Sequence, residues 1–351
     1  MTSRTMLDIA KVAATYAGTI TGAGFASGQE LLQFFVIYGS TGLAGIILAG
    51  CLFAWLGCRI LELGHRLQAT GYHQLLYHVC GAKIGLLLDI IISVFLFCVL
   101  TVMLAGTGTV CRDNFGLSYL SGLLAMSLLT LLTALRKVEG ITTANLIVTP
   151  LLAIATLATS LYSLSYHGLD TSILNAPAPP TSSDSPHWLL ASLLYVSYNL
   201  VMGTTVLAPL GAHTHRQATR LLGGAIGGAV LALLAGCVTL TVMLHYPQVL
   251  EYEVPMLYIT SSQHSLNHLS YTIILIAAMY TTALASLYGC ATKLQSATRL
   301  PFAVCLVIIL TLSLVFSQAG FANLITVLFP IFGYATLWFT IKLIWQVFRD
   351  K

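Results

Sequence analysis

The sequence predicts an all-α integral membrane protein of about ten transmembrane helices, laid out as two inverted five-helix repeats with the first and sixth helices broken at mid-membrane. Three observations point there. Of 351 residues only 7% are charged and 57% are hydrophobic, with a mean hydropathy of +0.89, whereas a soluble domain carries roughly a quarter charged residues. Apolar runs of about 20 residues, the length that spans about 30 Å of hydrocarbon at about 1.5 Å per residue, follow one another along the chain. Of the 15 Lys and Arg, all except Arg112 fall on or toward the inner side once the N-terminus is placed inside, as the positive-inside rule requires. This composition excludes a soluble globular domain, a disordered chain, a disulfide-stapled secreted domain and a nucleic-acid binder.

Charges and turn residues cut the chain into spans 9–37, 43–63, 84–110, 119–135, 141–162, 188–210, 221–244, 269–289, 300–316 and 322–348. Lys11, Arg59, Arg66, Lys83, Arg136, Lys137, Arg216, Arg220, Lys293, Arg299 and Arg349 then lie on the inner side. Arg112 lies outside with Asp113, Asp170, Asp184, Glu251 and Glu253. The run NAPAPPTSSDSP at 175–186 is rich in Pro and Ser and reads as a flexible connection. The expected organisation is one transmembrane domain over 1–351, with a first repeat at 9–165, an extracellular linker at 166–186 and a second repeat at 187–348. Both termini are expected to be cytoplasmic, in a multi-pass protein of the cell (inner) membrane.

The first span carries GTITGAGFASGQE, residues 18–30. Glycines spaced by four, Gly18, Gly22 and then Gly24, Gly28, allow close helix packing. Ser27 and Glu30, however, have the spacing of a capping box, which marks a helix start. A start within a span implies a stop just before it, so an unwound stretch is expected near 21–26, with Gly22 roughly 20 Å from the inner end. The sixth span, YVSYNLVMGTTVLAP at 195–209, places Asn199 and Gly203 at comparable depth, with Thr204 or Thr205 as a cap and Pro209 beyond. It reads as a second break or as a kink. Each interrupted helix opens a set of five, and because five is odd the sets run in opposite directions. Broken helices at matching places of inverted repeats point to a transport site at the midplane.

With Phe34 and Phe35 following GAGFASGQE, and EVPML at 253–257 before the eighth span, the chain resembles the YkvI-type family of bacterial membrane proteins. That family belongs to the amino acid-polyamine-organocation (APC) superfamily, whose members share the LeuT fold of five plus five helices. The resemblance implies that Gly22, Ala23 and Gly24 match the small-residue triplet with which superfamily transporters hold an amino acid carboxylate. It also implies a sodium site, since members that use sodium pair first-helix carbonyls with two hydroxyl residues of the eighth helix, here Thr281 and Thr282 facing Gly18 and Thr21. Some relatives replace that ion with a lysine of the fifth helix; residues 141–162 contain none.

The residues themselves suggest how such a site would work. Unwinding would free the amides of Ala23, Gly24 and Phe25 to hold a carboxylate, while carbonyls freed between Tyr198 and Val201, around Asn199, would face an ammonium. Phe25, Phe97, Tyr198 and Met202 would enclose a side chain, and none is charged. The expected function is therefore secondary active transport by alternating access of a small neutral, hydrophobic amino acid in symport with sodium; proton coupling and exchange of another small metabolite are the alternatives. Threonines that bond to their own helix would remove the sodium site. Glu30 is the only acid placed well inside an apolar span, a functional candidate that the capping box also explains. Ser27, Glu30 and Gly203 are thus structural or gating candidates. An enzyme would need clustered carboxylates, histidines or metal ligands, and the acids are isolated. A channel would need polar pore rings. The eight cysteines show no CxxC pairing, no ATP-binding GxxxxGK[ST] run occurs, and no cofactor is expected beyond sodium. The expected partners are a small-molecule substrate and the lipid bilayer, with no nucleic acid and the oligomeric state open.

Overall fold

The computed structural model describes residues 3–135, 140–167 and 187–349. The chain forms helices α1 (Ser3–Ile20), α2 (Ala23–Ala26), α3 (Gln29–Phe34), α4 (Ser40–Arg66), α5 (Tyr72–Phe115), α6 (Tyr119–Leu135) and α7 (Gly140–His167). After the connection come α8 (Trp188–His213), α9 (Gln217–Leu244), α10 (Pro255–Ser261), α11 (Ser265–Thr298), α12 (Phe302–Phe316) and α13 (Phe321–Arg349). No strand occurs among the described residues. Seven helices, α4, α5, α8, α9, α11, α12 (with the turn after it) and α13, are long and apolar enough to cross a membrane; α6 and the Pro150–Tyr166 part of α7 are shorter apolar helices. With α1 to α3 forming one interrupted segment, this reproduces the ten expected spans of a membrane protein. Most of the 166–186 linker, residues 168–186, lies outside the described residues.

Small residues decide which helices pack closely, because lipid tails are as apolar as leucine and supply no hydrophobic drive for association. A Cβ on Gly228 of α9 would lie 2.3 Å from the Ala54 amide nitrogen of α4, and one on Gly211 of α8 would lie 2.2 Å from the Leu61 carbonyl oxygen. Tyr16 of α1 is fully buried in this group and donates to the Phe53 carbonyl at 2.8 Å. Helices α1, α4, α8 and α9 thus form one packed set. A second set comprises α5, α6, α11 and α12, with α7 against α11 and α9, and with α13 packed on both α8 and α5.

Three expectations need correction. The sixth span is one unbroken helix, α8. Its polar residues turn onto their own helix: Asn199 Nδ2 donates to Tyr195 O at 3.0 Å, Thr204 Oγ1 to Leu200 O at 2.7 Å and Thr205 Oγ1 to Met202 O at 2.7 Å. Nothing then requires a break at Gly203, whose Cβ position is 3.7 Å from Ile20. The first segment breaks twice, at Thr21–Gly22 and at Ser27–Gly28, with one helical turn, α2, between the breaks. Finally, the capping box does not form. Gly28 precedes α3 with φ 81, a left-handed conformation that glycine adopts at little cost, and the Ser27 amide bonds to Ala23 O at 2.8 Å rather than to Glu30.

Candidate functional site

The double break lies at the seam between the two helix sets. Thr21 N closes α1 on Ala17 O at 2.9 Å, Gly22 N turns onto Ile20 O at 2.8 Å, and Ala26 N reaches back to Gly22 O at 3.1 Å. Between these bonds the amides of Ala23, Gly24 and Phe25 have no backbone partner among the described residues, and neither do the carbonyls of Gly18, Thr19 and Thr21. Ala23 and Phe25 are nonetheless buried, at 0% and 2% exposure, where an unpaired polar group costs several kcal/mol.

The far end of α2 differs sharply. Ser27 Oγ donates to Gly24 O at 2.6 Å and Gly28 N to Phe25 O at 3.1 Å. Two more donors come from later helices: Tyr271 of α11 gives its hydroxyl to Ala26 O at 2.6 Å, and the Met256 amide of α10 bonds Ser27 O at 3.0 Å. Thr156 of α7 lies 3.4 Å from the same Tyr271 hydroxyl. The carbonyl end of α2 is therefore satisfied by protein, and its amide end is not.

Glu30, 5% exposed, turns inward instead of capping α3. Its Oε1 accepts a hydrogen bond from the Tyr198 hydroxyl and one from Asn199 Nδ2 at 3.5 Å. Its Oε2 lies 2.9 Å from the position a Cβ on Gly24 would take. Around this carboxylate stands an aromatic shell: Tyr198 meets Phe34, Phe95 and Phe329 with ring centroids 5.7, 5.8 and 5.3 Å apart, and Phe95 meets Phe332 at 4.4 Å. Phe34 and Tyr198 belong to the interrupted segment and α8; Phe95 and Phe329 belong to α5 and α13.

Most expected site residues gather here: Gly22, Ala23, Gly24 and Phe25 on the break, and Tyr198, Asn199 and Glu30 beside it. Around Gly22 there is nothing within 4 Å of a Cβ position. Phe97 does not belong. Its ring meets Phe316 at 6.0 Å on α12, because residues two apart on a helix face nearly opposite ways, and Phe95 takes the inner place. The carbonyls between Tyr198 and Val201 are used within α8, so they cannot face an ammonium. Val201 is buried and Met202 packs partly buried against the core. In the ion set, Thr21 Oγ1 donates to Ala17 O at 2.9 Å and Thr281 Oγ1 to Ala278 O at 3.1 Å. Both hydroxyl hydrogens are thus spent on their own helices, while the oxygen lone pairs stay open. Phe95, Phe329 and Tyr271 are not singled out by the sequence, where nothing sets them apart from other aromatics of apolar spans; Phe34 is, but only as part of the family motif.

Ionic clusters tie the ends of the bundle. At one end Arg220 reaches Glu62 at 2.9 Å and Lys293 reaches Asp89 at 2.6 Å. At the other, Glu253 binds Arg112 at 3.3 Å, Thr109 Oγ1 at 3.2 Å and the Phe321 amide at 2.7 Å, joining the loop before α10 to α5 and α13.

A first helix broken at the seam of two helix sets, in a chain without strands among its described residues, belongs to an all-α membrane protein with a LeuT-like fold, as its likeness to solved structures shows. No protein-family model matches the chain. It is 29% identical over 332 residues to the Bacillus subtilis uncharacterized membrane protein YkvI, covering 94% of this chain and 93% of the relative. To the uncharacterized protein YyaD of the same organism it is 26% identical over 327 residues, covering 93% of each. Among solved structures, MhsT in complex with L-phenylalanine matches with a TM-score of 0.63 at 15% identity, over 93% of this chain and 85% of that one. A point mutant of the manganese transporter of Eremococcus coleocola matches at 0.62 and 13%, over 95% and 78%. Mhp1 in its inward-facing conformation matches at 0.59 and 15%, over 93% and 72%. At 13–15% identity these likenesses are ones of fold.

Proposed function

We propose that the protein is a secondary active transporter that carries a small neutral, hydrophobic amino acid across the cell membrane by alternating access, in symport with sodium. The carrying observation is the set of three buried, unpaired amides at Ala23, Gly24 and Phe25. A substrate carboxylate would supply the missing acceptors, and charge-assisted bonds of this kind are about twice as strong as neutral ones. The ring shell of Phe34, Phe95, Tyr198 and Phe329 suits an apolar side chain.

For an ion, the unpaired Gly18 carbonyl and the open lone pairs of Thr21, Thr281 and Thr282 are the hard oxygen donors that sodium takes. Movement follows from the division into two helix sets. The site is built from α1 to α3 and α8 on one side and from α5, α11 and α13 on the other, so a rocking of one set against the other would open it to each face in turn. Inverted repeats at 9–165 and 187–348, with both termini cytoplasmic, complete the proposed arrangement.

The test is uptake into proteoliposomes of a panel of labelled amino acids, with and without an inward sodium gradient. Accumulation of an apolar amino acid that requires the gradient is the expected result. Uptake that ignores sodium and follows a proton gradient would replace the coupling ion, and passive flux without saturation would make the chain a channel.

A further inference from the structure

The break presents two kinds of unmet demand side by side. The amides of Ala23, Gly24 and Phe25 call for negative charge. A few ångströms away Glu30 calls for positive charge: no Lys, Arg or His among the described residues pairs with it. Both donors that hold the carboxylate, Tyr198 and Asn199, go to Oε1, and no described residue donates to Oε2. This second oxygen is turned toward the break, 2.9 Å from the Cβ position of Gly24. By bond geometry it is no more than about 5.4 Å from the Gly24 amide nitrogen. A side chain at 24 would push this oxygen from its place.

We propose that Glu30 Oε2 is the receptor for the substrate's protonated amine, so that the site recognises a zwitterion by its two ends: carboxylate on the amides of residues 23–25, ammonium on Glu30. The inference rests on the transport reading above and replaces the α8 carbonyls, which the unbroken helix withholds. An amine nitrogen in contact with Oε2 and a carboxylate in contact with the Gly24 amide fit the spacing of an α-amino acid. Tyr198 and Asn199 are positioning residues: by occupying Oε1 they fix the carboxylate plane and leave Oε2 free. A buried carboxylate pairs with a cation far more strongly than with a neutral donor, because little water competes. The site therefore selects for the amine and rejects molecules that carry a hydroxyl in its place.

The test uses triads built on L-alanine, L-leucine and L-phenylalanine, each comprising the amino acid, its decarboxylated amine and its 2-hydroxy acid, with binding measured on the purified full chain and uptake in proteoliposomes. In the wild type the amino acid of at least one triad should bind about 100-fold tighter than its 2-hydroxy acid, the scale of a buried charged pair. In Glu30→Gln that ratio should collapse toward one, chiefly through loss of amino acid affinity. Glu30→Asp, which keeps the charge, should retain part of the preference and guards against a folding defect in the glutamine variant, whose melting temperature is measured alongside. A wild type that binds the 2-hydroxy acid as well as the amino acid overturns the role of Glu30 and leaves the transport reading standing. Binding of the amine alone, lost in Glu30→Gln, upholds Glu30 and removes the carboxylate site. A Glu30→Gln protein that keeps the amine preference but loses the pH dependence of uptake makes Glu30 a proton site and overturns the proposal. Failure of all three triads overturns both readings.

Discussion

Replacing Gly22 with alanine separates a substrate role from a packing role, because the two predict effects of opposite sign. Gly22 has φ −92 and ψ −175, an extended conformation open to any L-residue, and no atom lies within 4 Å of its Cβ position. Alanine should therefore fit without strain. By restricting the unfolded chain it should raise stability by about 0.4–1 kcal/mol, a small upward shift in melting temperature in detergent. The open space beside Gly22 is where a substrate carboxylate would approach the neighbouring amides. A methyl group intruding there should weaken binding by about 1–3 kcal/mol, the usual overpacking penalty, which corresponds to a Kd raised roughly 5- to 150-fold. Equilibrium binding and thermal unfolding on the same preparation read both terms. A variant with a lowered melting temperature and an unchanged Kd would refute the site and return this glycine to helix packing.

The remaining predictions concern the neighbours of the break. Gly28→Ala should lower stability by about 1–2 kcal/mol through its left-handed backbone, added to a Cβ only 3.0 Å from Met256 Cγ, and should show as a lower melting temperature; an unshifted melt would mean that the turn at 28 relaxes freely. Tyr271→Phe strips the donor from Ala26 O and leaves a buried carbonyl unmet, about 1–3 kcal/mol. If that bond forms only when the two helix sets are closed, the variant should open more often, and a cysteine placed at Gly22 should react faster with thiol reagents; an unchanged rate would deny the bond a gating role. Thr281→Ala and Thr282→Ala should each raise the sodium concentration for half-maximal substrate binding, and wild-type binding indifferent to sodium would remove the ion site.

Much of the fold was legible because hydrocarbon permits so few backbone solutions. Apolar runs located the spans, and glycines inside the first span marked that it is interrupted, although residues 23–26 of the expected unwound stretch form a helical turn between two breaks. The free amides at Ala23, Gly24 and Phe25 followed from that break. Other features depended on helix phase or on distant partners. Phe95 and Phe97 are alike in sequence, and only the rotation of α5 decides which faces the seam. Asn199, Thr204 and Thr205 look like the makings of a second break, yet each bonds to a carbonyl of its own helix. Glu30 stood out as the acid set well inside an apolar span, but its partner Tyr198 is 168 positions away, and the local spacing to Ser27 suggested a cap instead.

Two of the bonds that hold the break, from Tyr271 of α11 to Ala26 and from Met256 of α10 to Ser27, end on main-chain oxygens. Every residue type brings the same carbonyl to positions 26 and 27, so substitution there leaves both acceptors in place. On the donor side Met256 also contributes only its backbone, and any residue except proline would serve. A single side chain, the phenol of Tyr271, is the part of this closure open to mutation. Side chains around the break could thus be exchanged, altering what is carried, while these two bonds at its far end keep the acceptors they need.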